Sequence, residues 1–216
     1  MNRQIRLAVA LLWPLALAIW GCSGGEKLKE AAPAAGKAVD KAGEKLSDLK
    51  EKAGEKLKDL KEKANTGSTL TSEEANELVQ YHNKVRTEVG VGPINWSPTL
   101  AKFAQQWADE VARTGKLDHR PESQYGENMA WGSGGKYGVL TGAEGWYNEI
   151  QFYTPGTPIP NDFPSFKAGH YTQMVWKDTT EIGAGKAVIQ KGDWKGGLVI
   201  VCNYNPPGNS TGKKPY

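Results

Sequence analysis

Two short stretches constrain this chain more than any others: Gly169-His170-Tyr171-Thr172-Gln173-Met174-Val175-Trp176, and Val201-Cys202-Asn203-Tyr204-Asn205-Pro206-Pro207-Gly208-Asn209. Both step apolar or aromatic side chains past polar ones, which is the period of half-buried strands. The first places His170 just after a glycine, where a loop would enter its strand. Upstream, His119 and Glu127 bracket a turn, and Glu149 follows Trp146 at helical spacing. Two imidazoles and two carboxylates are therefore expected to converge on one cleft.

Not all of the 216 residues belong to a globular body. Residues 1–21 carry Arg3 and Arg6, then an apolar run over 7–20 that is short for a membrane span, then Gly21 before Cys22. A basic start, an apolar middle and a small residue at the cut read as an export signal. Ile19-Trp20-Gly21-Cys22 resembles a bacterial lipobox, although Trp20 stands where a small residue is usual. Lipidation is thus expected at Cys22, anchoring an exported protein to the cell envelope. Ser23 in place of aspartate points to an outer membrane; release to the extracellular space is the alternative. With Cys22 acylated, Cys202 has no partner for a disulfide, so stability has to come from a core.

Net charge has to be read by segment. The formal +3 includes Arg3 and Arg6 of the signal, and residues 23–69 hold eleven Lys against nine Asp plus Glu. Residues 70–216 keep 14 Lys plus Arg and 15 Asp plus Glu, a net of 14 − 15 = −1. That body lacks the basic footprint of a nucleic-acid binder. It holds six of the eight Trp, and a domain of this size buries about 70% of its unfolded surface.

Between signal and body, residues 41–62 write an eleven-residue repeat twice: Lys-Ala-Gly-Glu-Lys-Leu-Ser-Asp-Leu-Lys-Glu, then the same with Lys58 replacing Ser47. Ala42, Leu46, Leu49, Ala53, Leu57 and Leu60 form a narrow apolar stripe. Gly43 and Gly54 each weaken a helix by roughly 1 kcal/mol relative to Ala. Residues 22–70 are expected to be a solvated helical spacer, because their polar face carries nearly balanced charge. The alternative is an amphipathic helix lying on lipid.

The globular domain is expected over residues 71–216. Thr71-Ser72-Glu73-Glu74 is a capping box opening a helix to about Glu88. Ser97-Pro98 opens a second helix, which ends near Gly115. A third spans 139–152 and contains Trp146 and Glu149. Strands are expected at 128–131, 171–177, 183–190 and 196–204. Trp107, Trp131, Trp146 and Trp176 are expected in the core, as is His82 on the apolar stripe of the first helix. Thr154 to Phe166 holds four prolines and reads as a stiff loop. These elements give an α+β fold: a three-layer α-β-α sandwich with a central antiparallel sheet.

Four ordered motifs resemble the superfamily of cysteine-rich secretory proteins, antigen five and pathogenesis-related group-one proteins, called CAP or SCP. They are His82-Asn83-Lys84-Val85-Arg86, Gly126-Glu127-Asn128-Met129, residues 169–179, and residues 199–209. Ser210 departs from the hydrophobic residue common at the end of the last motif. The stretch Tyr125-Gly126-Glu127-Asn128-Met129-Ala130-Trp131-Gly132-Ser133-Gly134 is similar to the plant pathogenesis-related branch. The resemblance covers about Ser72 to Tyr216 and implies the cleft set His119, Glu127, Glu149 and His170. It implies binding of a sterol or fatty acid in an apolar groove, although no aromatic-rich loop marks one. The tail 206–216 is similar to a C-terminal peptide that some plant members release; the favoured reading is a tail packed across the domain.

Two imidazoles and two carboxylates make an N2O2 set suited to Zn2+ or another divalent metal, with no cofactor required for the fold. Without metal, the carboxylates would fix each imidazole's tautomer. No H-E-x-x-H and no serine with an assignable base is present. Cys202 lies in an apolar strand and reads as an inert thiol. The expectation is therefore non-enzymatic binding. A metal-dependent, protease-like hydrolase is the alternative, and a cell-surface or host interaction module meeting a protein partner is a third reading.

Overall fold

A computed structural model describes residues 25–133 and 135–216. The expected export signal and Cys22 lie outside these residues. The chain divides into two units, Met1–Ala53 and Gly54–Tyr216. Helix α1, Gly25–Thr66, carries the repeat, and its residues 41–61 are exposed.

In the second unit the elements follow as α2 (Ser72–Glu88), β1 (Asn95–Trp96), α3 (Pro98–Thr114), β2 (Gly126–Gly132), α4 (Val139–Tyr147), α5 (Gly169–Met174), β3 (Glu181–Val188) and β4 (Leu198–Asn205). The sheet order is β1-β3-β4-β2. β4 pairs antiparallel with both β2 and β3, whereas β1 runs parallel to β3. The sheet is mixed, not purely antiparallel as expected. β1 is a two-residue bridge formed where the chain passes between two helices, too short for a period to register.

β4 shows why the layers form. Ile200, Cys202 and Tyr204 point into one core with Leu78, Val85, Trp146, Tyr171 and Met174. Val199 and Val201 point the other way, against Ala104, Ala108 and Val111. This two-residue alternation puts α2, α4 and α5 on one face and α3 on the other. α3 lies directly on β3, and only glycine permits it: a Cβ on Gly183 would stand 2.1 Å from the Ala101 backbone N.

The helix signals hold at atomic detail. Thr71 Oγ1 accepts from Glu74 N at 3.1 Å, and Thr71 N donates to Glu74 Oε2 at 2.9 Å, the reciprocal capping box. Ser97 caps α3 with Pro98 at its first position, and Gly115 closes it at φ 73. The body reaches back before Thr71: Leu70 is a core residue, and Thr66 O accepts from Trp96 Nε1 at 2.9 Å.

Residues 171–177 do not form a strand. Gly169–Met174 is helical, because Tyr171, Met174 and Val175 lie at i, i+3 and i+4 and face the core together. The intervening polar residues, which read as an exposed strand face, are buried on partners of their own. Thr172 Oγ1 donates to Asn209 Oδ1 at 2.7 Å, and Gln173 Oε1 accepts from Gly208 N at 3.0 Å. The third helix stops at Tyr147 and tightens to a 3-10 turn over Asn148–Phe152. Trp146 and Trp176 are core residues, whereas Trp107 is half-buried and Trp131 is exposed.

The tail packs across the domain. Ile159 N donates to Lys213 O at 2.9 Å and Lys177 N to Pro215 O at 2.8 Å, while Tyr216 packs on Tyr153 with ring centroids 5.8 Å apart.

Candidate functional site

β2 enters the sheet at Gly126, so the next residue, Glu127, stands at the strand's mouth with its side chain only 6% exposed. Its Oε1 accepts from Arg120 N at 3.1 Å and lies 2.7 Å from His119 Nδ1. Arg120 is itself fixed, donating to Phe103 O at 3.0 Å and stacking 3.6 Å over the Phe103 ring. The backbone that carries His119 is thus held in place by its neighbour.

Across the cleft, the 3-10 turn after α4 aims Glu149 at the start of α5. Glu149 Oε2 accepts from His170 N at 2.8 Å, and Glu149 Oε1 lies 2.6 Å from His170 Nδ1. A single carboxylate therefore fixes both the backbone and the ring of His170. The Trp146 ring stacks against that imidazole with centroids 6.4 Å apart.

All four sequence-derived residues line one cleft of about 400 Å³. The two imidazole centroids stand 6.4 Å apart with planes at 36°. Neither carboxylate sits beside the imidazoles as a further ligand; each stands behind its own ring, on Nδ1. Among the described residues no three His, Cys, Asp or Glu side chains form a metal-holding group. A carboxylate accepts, so each Nδ1 carries the proton and each Nε2 of the neutral ring is left as the lone-pair nitrogen. Among the described residues Glu127 Oε2 is buried and has no hydrogen-bond partner.

Glu127 also sets the charge of His119. The hydrogen bond raises the imidazole above its ordinary 6.5, with partial burial opposing.

Asn128 is a residue the sequence reading did not single out, although it lies inside the quoted motif. Its Nδ2 donates to His170 O at 3.0 Å and to Tyr204 OH at 3.0 Å. Tyr204 OH lies 2.9 Å from His82 Nε2, and His82 Nδ1 lies 2.8 Å from Leu78 O. The Leu78 carbonyl can only accept, so His82 carries its proton on Nδ1 and its Nε2 accepts a hydrogen bond from the Tyr204 hydroxyl. His82 is the buried core histidine expected, and burial pushes it down to about 4. One chain of hydrogen bonds runs from α2 through β4 and β2 to the backbone of a cleft imidazole. Asn209, also missed, donates to Gly169 O at 2.8 Å and so joins the tail to α5.

The other cleft wall is apolar. Phe163, Pro164 and Phe166 form it, with Lys167 beside them. These residues come from the proline-rich loop, which carries no periodic signal. Cys202 stays apart from this chemistry: its thiol is buried and pushed up to about 12, mainly by desolvation.

Comparison with known proteins agrees with this geometry. The cysteine-rich secretory protein family, CAP, matches residues 79–204. A PR-1-type pathogenesis-related protein of Sambucus nigra is 36% identical over 148 residues, covering 68% of this chain and 85% of its own. The pathogenesis-related protein PRMS of Zea mays is 40% identical over 136 residues, covering 62% and 77%. Among solved structures, BmVAL-1 superposes with a TM-score of 0.59 at 23% identity, over 69% of this chain and 84% of its own. NaASP2 with Zn2+ gives 0.56 at 22% identity, over 68% and 86%. Motif order, sheet topology, cleft and sequence identity lead to one conclusion: the chain belongs to the cysteine-rich secretory protein family and carries a CAP domain of the pathogenesis-related type.

Proposed function

We propose that this protein is an exported, lipid-anchored CAP protein that acts by binding, not by catalysis, and that its cleft takes a divalent metal between His119 and His170. One observation carries the cleft assignment: both Nδ1 atoms are tied to carboxylates, at 2.7 and 2.6 Å, which leaves two Nε2 lone pairs for a shared cation. This is the carboxylate–histidine arrangement that orients imidazole ligands and raises their basicity. Glu127 and Glu149 serve as supports and add negative charge behind the pair.

The fit can be judged by distance. Zn2+ bonded to two imidazole nitrogens at about 2.0–2.1 Å places the ring centroids roughly 5–6 Å apart. The observed 6.4 Å asks for a small closure, and His119, with 59% of its side chain exposed, has room to make it. With two protein ligands the remaining positions fall to water, so binding is weak and exchangeable. Such an ion acidifies its bound water, which is the chemistry the hydrolase alternative would use.

Protonation at Nε2 competes with metal, so affinity rises as pH climbs through the raised His119 titration. Calorimetric titration with Zn2+ is expected to show binding at pH 7.5 that weakens at least tenfold at pH 5.5. His119→Ala and His170→Ala should each abolish it. Heat that is absent, or unchanged in both variants, overturns the assignment.

The apolar wall favours a second occupant. Phe163 is 38% exposed and, with Phe166, offers a surface to an acyl chain or sterol, the ligand class the family resemblance implies. Native mass spectrometry of the purified protein separates the two: a metal adds tens of daltons, a lipid several hundred. The anchor has its own test, radiolabelled palmitate incorporation that disappears in Cys22→Ser.

A further inference from the structure

We infer that helix α1 docks along the surface of an anionic lipid bilayer through its leucine face. Leu46, Leu49, Leu57 and Leu60 are 54%, 57%, 54% and 54% exposed, so among the described residues nothing covers them. Four large apolar side chains on one exposed helix face are an interaction surface in search of a partner. The surrounding charges decide which partner it is.

At about 100° per residue, Ala42, Leu46, Leu49, Ala53, Leu57 and Leu60 fall within an arc of roughly 80°. Lys45, Lys56, Lys52 and Lys41 follow along one edge of that arc, and Lys50 and Lys61 along the other. Glu44, Asp48, Glu51, Glu55 and Asp59 all lie within roughly 60° of the pole opposite the leucines. Lys58 lies within the acidic face, and Lys41, in line with Asp59, lies at its margin. The near-zero net charge thus hides a segregation: apolar stripe, basic edges, acidic back. Both repeats write this same layout.

A second copy of the chain is the wrong partner for it. Two helices packed stripe to stripe bring their flanking positions together, and stable pairs place opposite charges there. Here both flanks are lysine, so copies would meet with like charges along each seam. An anionic bilayer suits the same layout. Lysine stems extend the apolar face while their ammonium groups reach lipid phosphates, and the acidic back stays in water. No helix of the described residues is long and apolar enough to cross a membrane, so the helix lies on the surface. The stripe is narrow and has no aromatic anchor, so insertion is shallow and depends on charge.

The inference stands independently of acylation at Cys22, and the experiment keeps them apart by using the full chain with Cys22→Ser. Cosedimentation compares vesicles of equal parts phosphatidylglycerol and phosphatidylcholine with vesicles of phosphatidylcholine alone. Binding is expected to be at least tenfold tighter to the anionic vesicles and to weaken as salt is raised. The variant L46Q/L49Q/L57Q/L60Q should lose at least tenfold on the anionic vesicles. K45E/K56E keeps every leucine and should lose the preference between the two vesicle types. The apolar segment 7–20 is common to all of these chains, so the differences report on α1. Equal binding to both vesicles, or binding unchanged in both variants, overturns the inference. So does a lipid-free dimer that sedimentation equilibrium shows to depend on the same leucines.

Discussion

His119 illustrates how one carboxylate decides both geometry and charge. Glu127 lies almost wholly buried while its imidazole partner is mostly exposed, so the buried carboxylate orients the exposed ring. Because the folded pKa of His119 exceeds its unfolded value, the pair stabilises the fold fully below about 6.5 and loses that contribution as pH rises through the folded value. Glu127→Gln keeps an acceptor oxygen but removes the charge. Proton NMR of the imidazole should then show the His119 titration falling back toward 6.5; a His119 titration indifferent to the substitution would refute the pairing. These two imidazoles and two carboxylates were legible in the sequence because their residue types are few and chemically loud. Asn128 and Asn209 were not, since an amide that holds a backbone carbonyl looks like any surface amide until its partner is known.

At the scale of elements, what proved legible depended on whether the deciding contact is local. Caps at Thr71, Ser97 and Gly115 act within one turn, so they read correctly from a handful of residues. α5 did not, because Thr172 and Gln173 are buried by partners more than thirty residues downstream, at Asn209 and Gly208. Glycines separate the same way. Gly43 and Gly54 in α1 would place an added Cβ with nothing within 4 Å, so Gly43→Ala and Gly54→Ala should each strengthen the helix by about 1 kcal/mol. Gly183 has the same side chain but the opposite prospect, since its Cβ would meet α3 backbone at 2.1 Å. Gly183→Ala should destabilise the body by about 1–3 kcal/mol through forced separation of strand and helix. Circular dichroism melts of the three variants test the contrast; a neutral Gly183→Ala would mean that α3 has slack over β3.

Across the whole molecule, the response to mild acid is expected to follow a histidine that is fully buried. His82 is neutral in the fold, with its folded value down to about 4 against 6.5 unfolded, so the unfolded chain binds the extra proton between those limits. Stability present above 6.5 is therefore lost as pH falls toward 4, by about 2 kcal/mol at pH 5. His119 works in the opposite sense in this window, but its exposed ring is screened by solvent and offsets only part of the loss. Protonating His82 would also remove the acceptor for the Tyr204 hydroxyl, the middle link of the chain that ends on the His170 carbonyl. Loss of stability and loosening of the cleft should therefore appear together. Urea midpoints measured from pH 7 to pH 5 are expected to fall, and more steeply in Glu127→Gln, where the compensating pair is gone. In His82→Gln the fall should disappear and give way to a slight rise, because only the His119 pair still titrates there, from a lower starting stability. A wild-type midpoint that stays constant across it would show that the buried imidazole does not control the fold's response to acid.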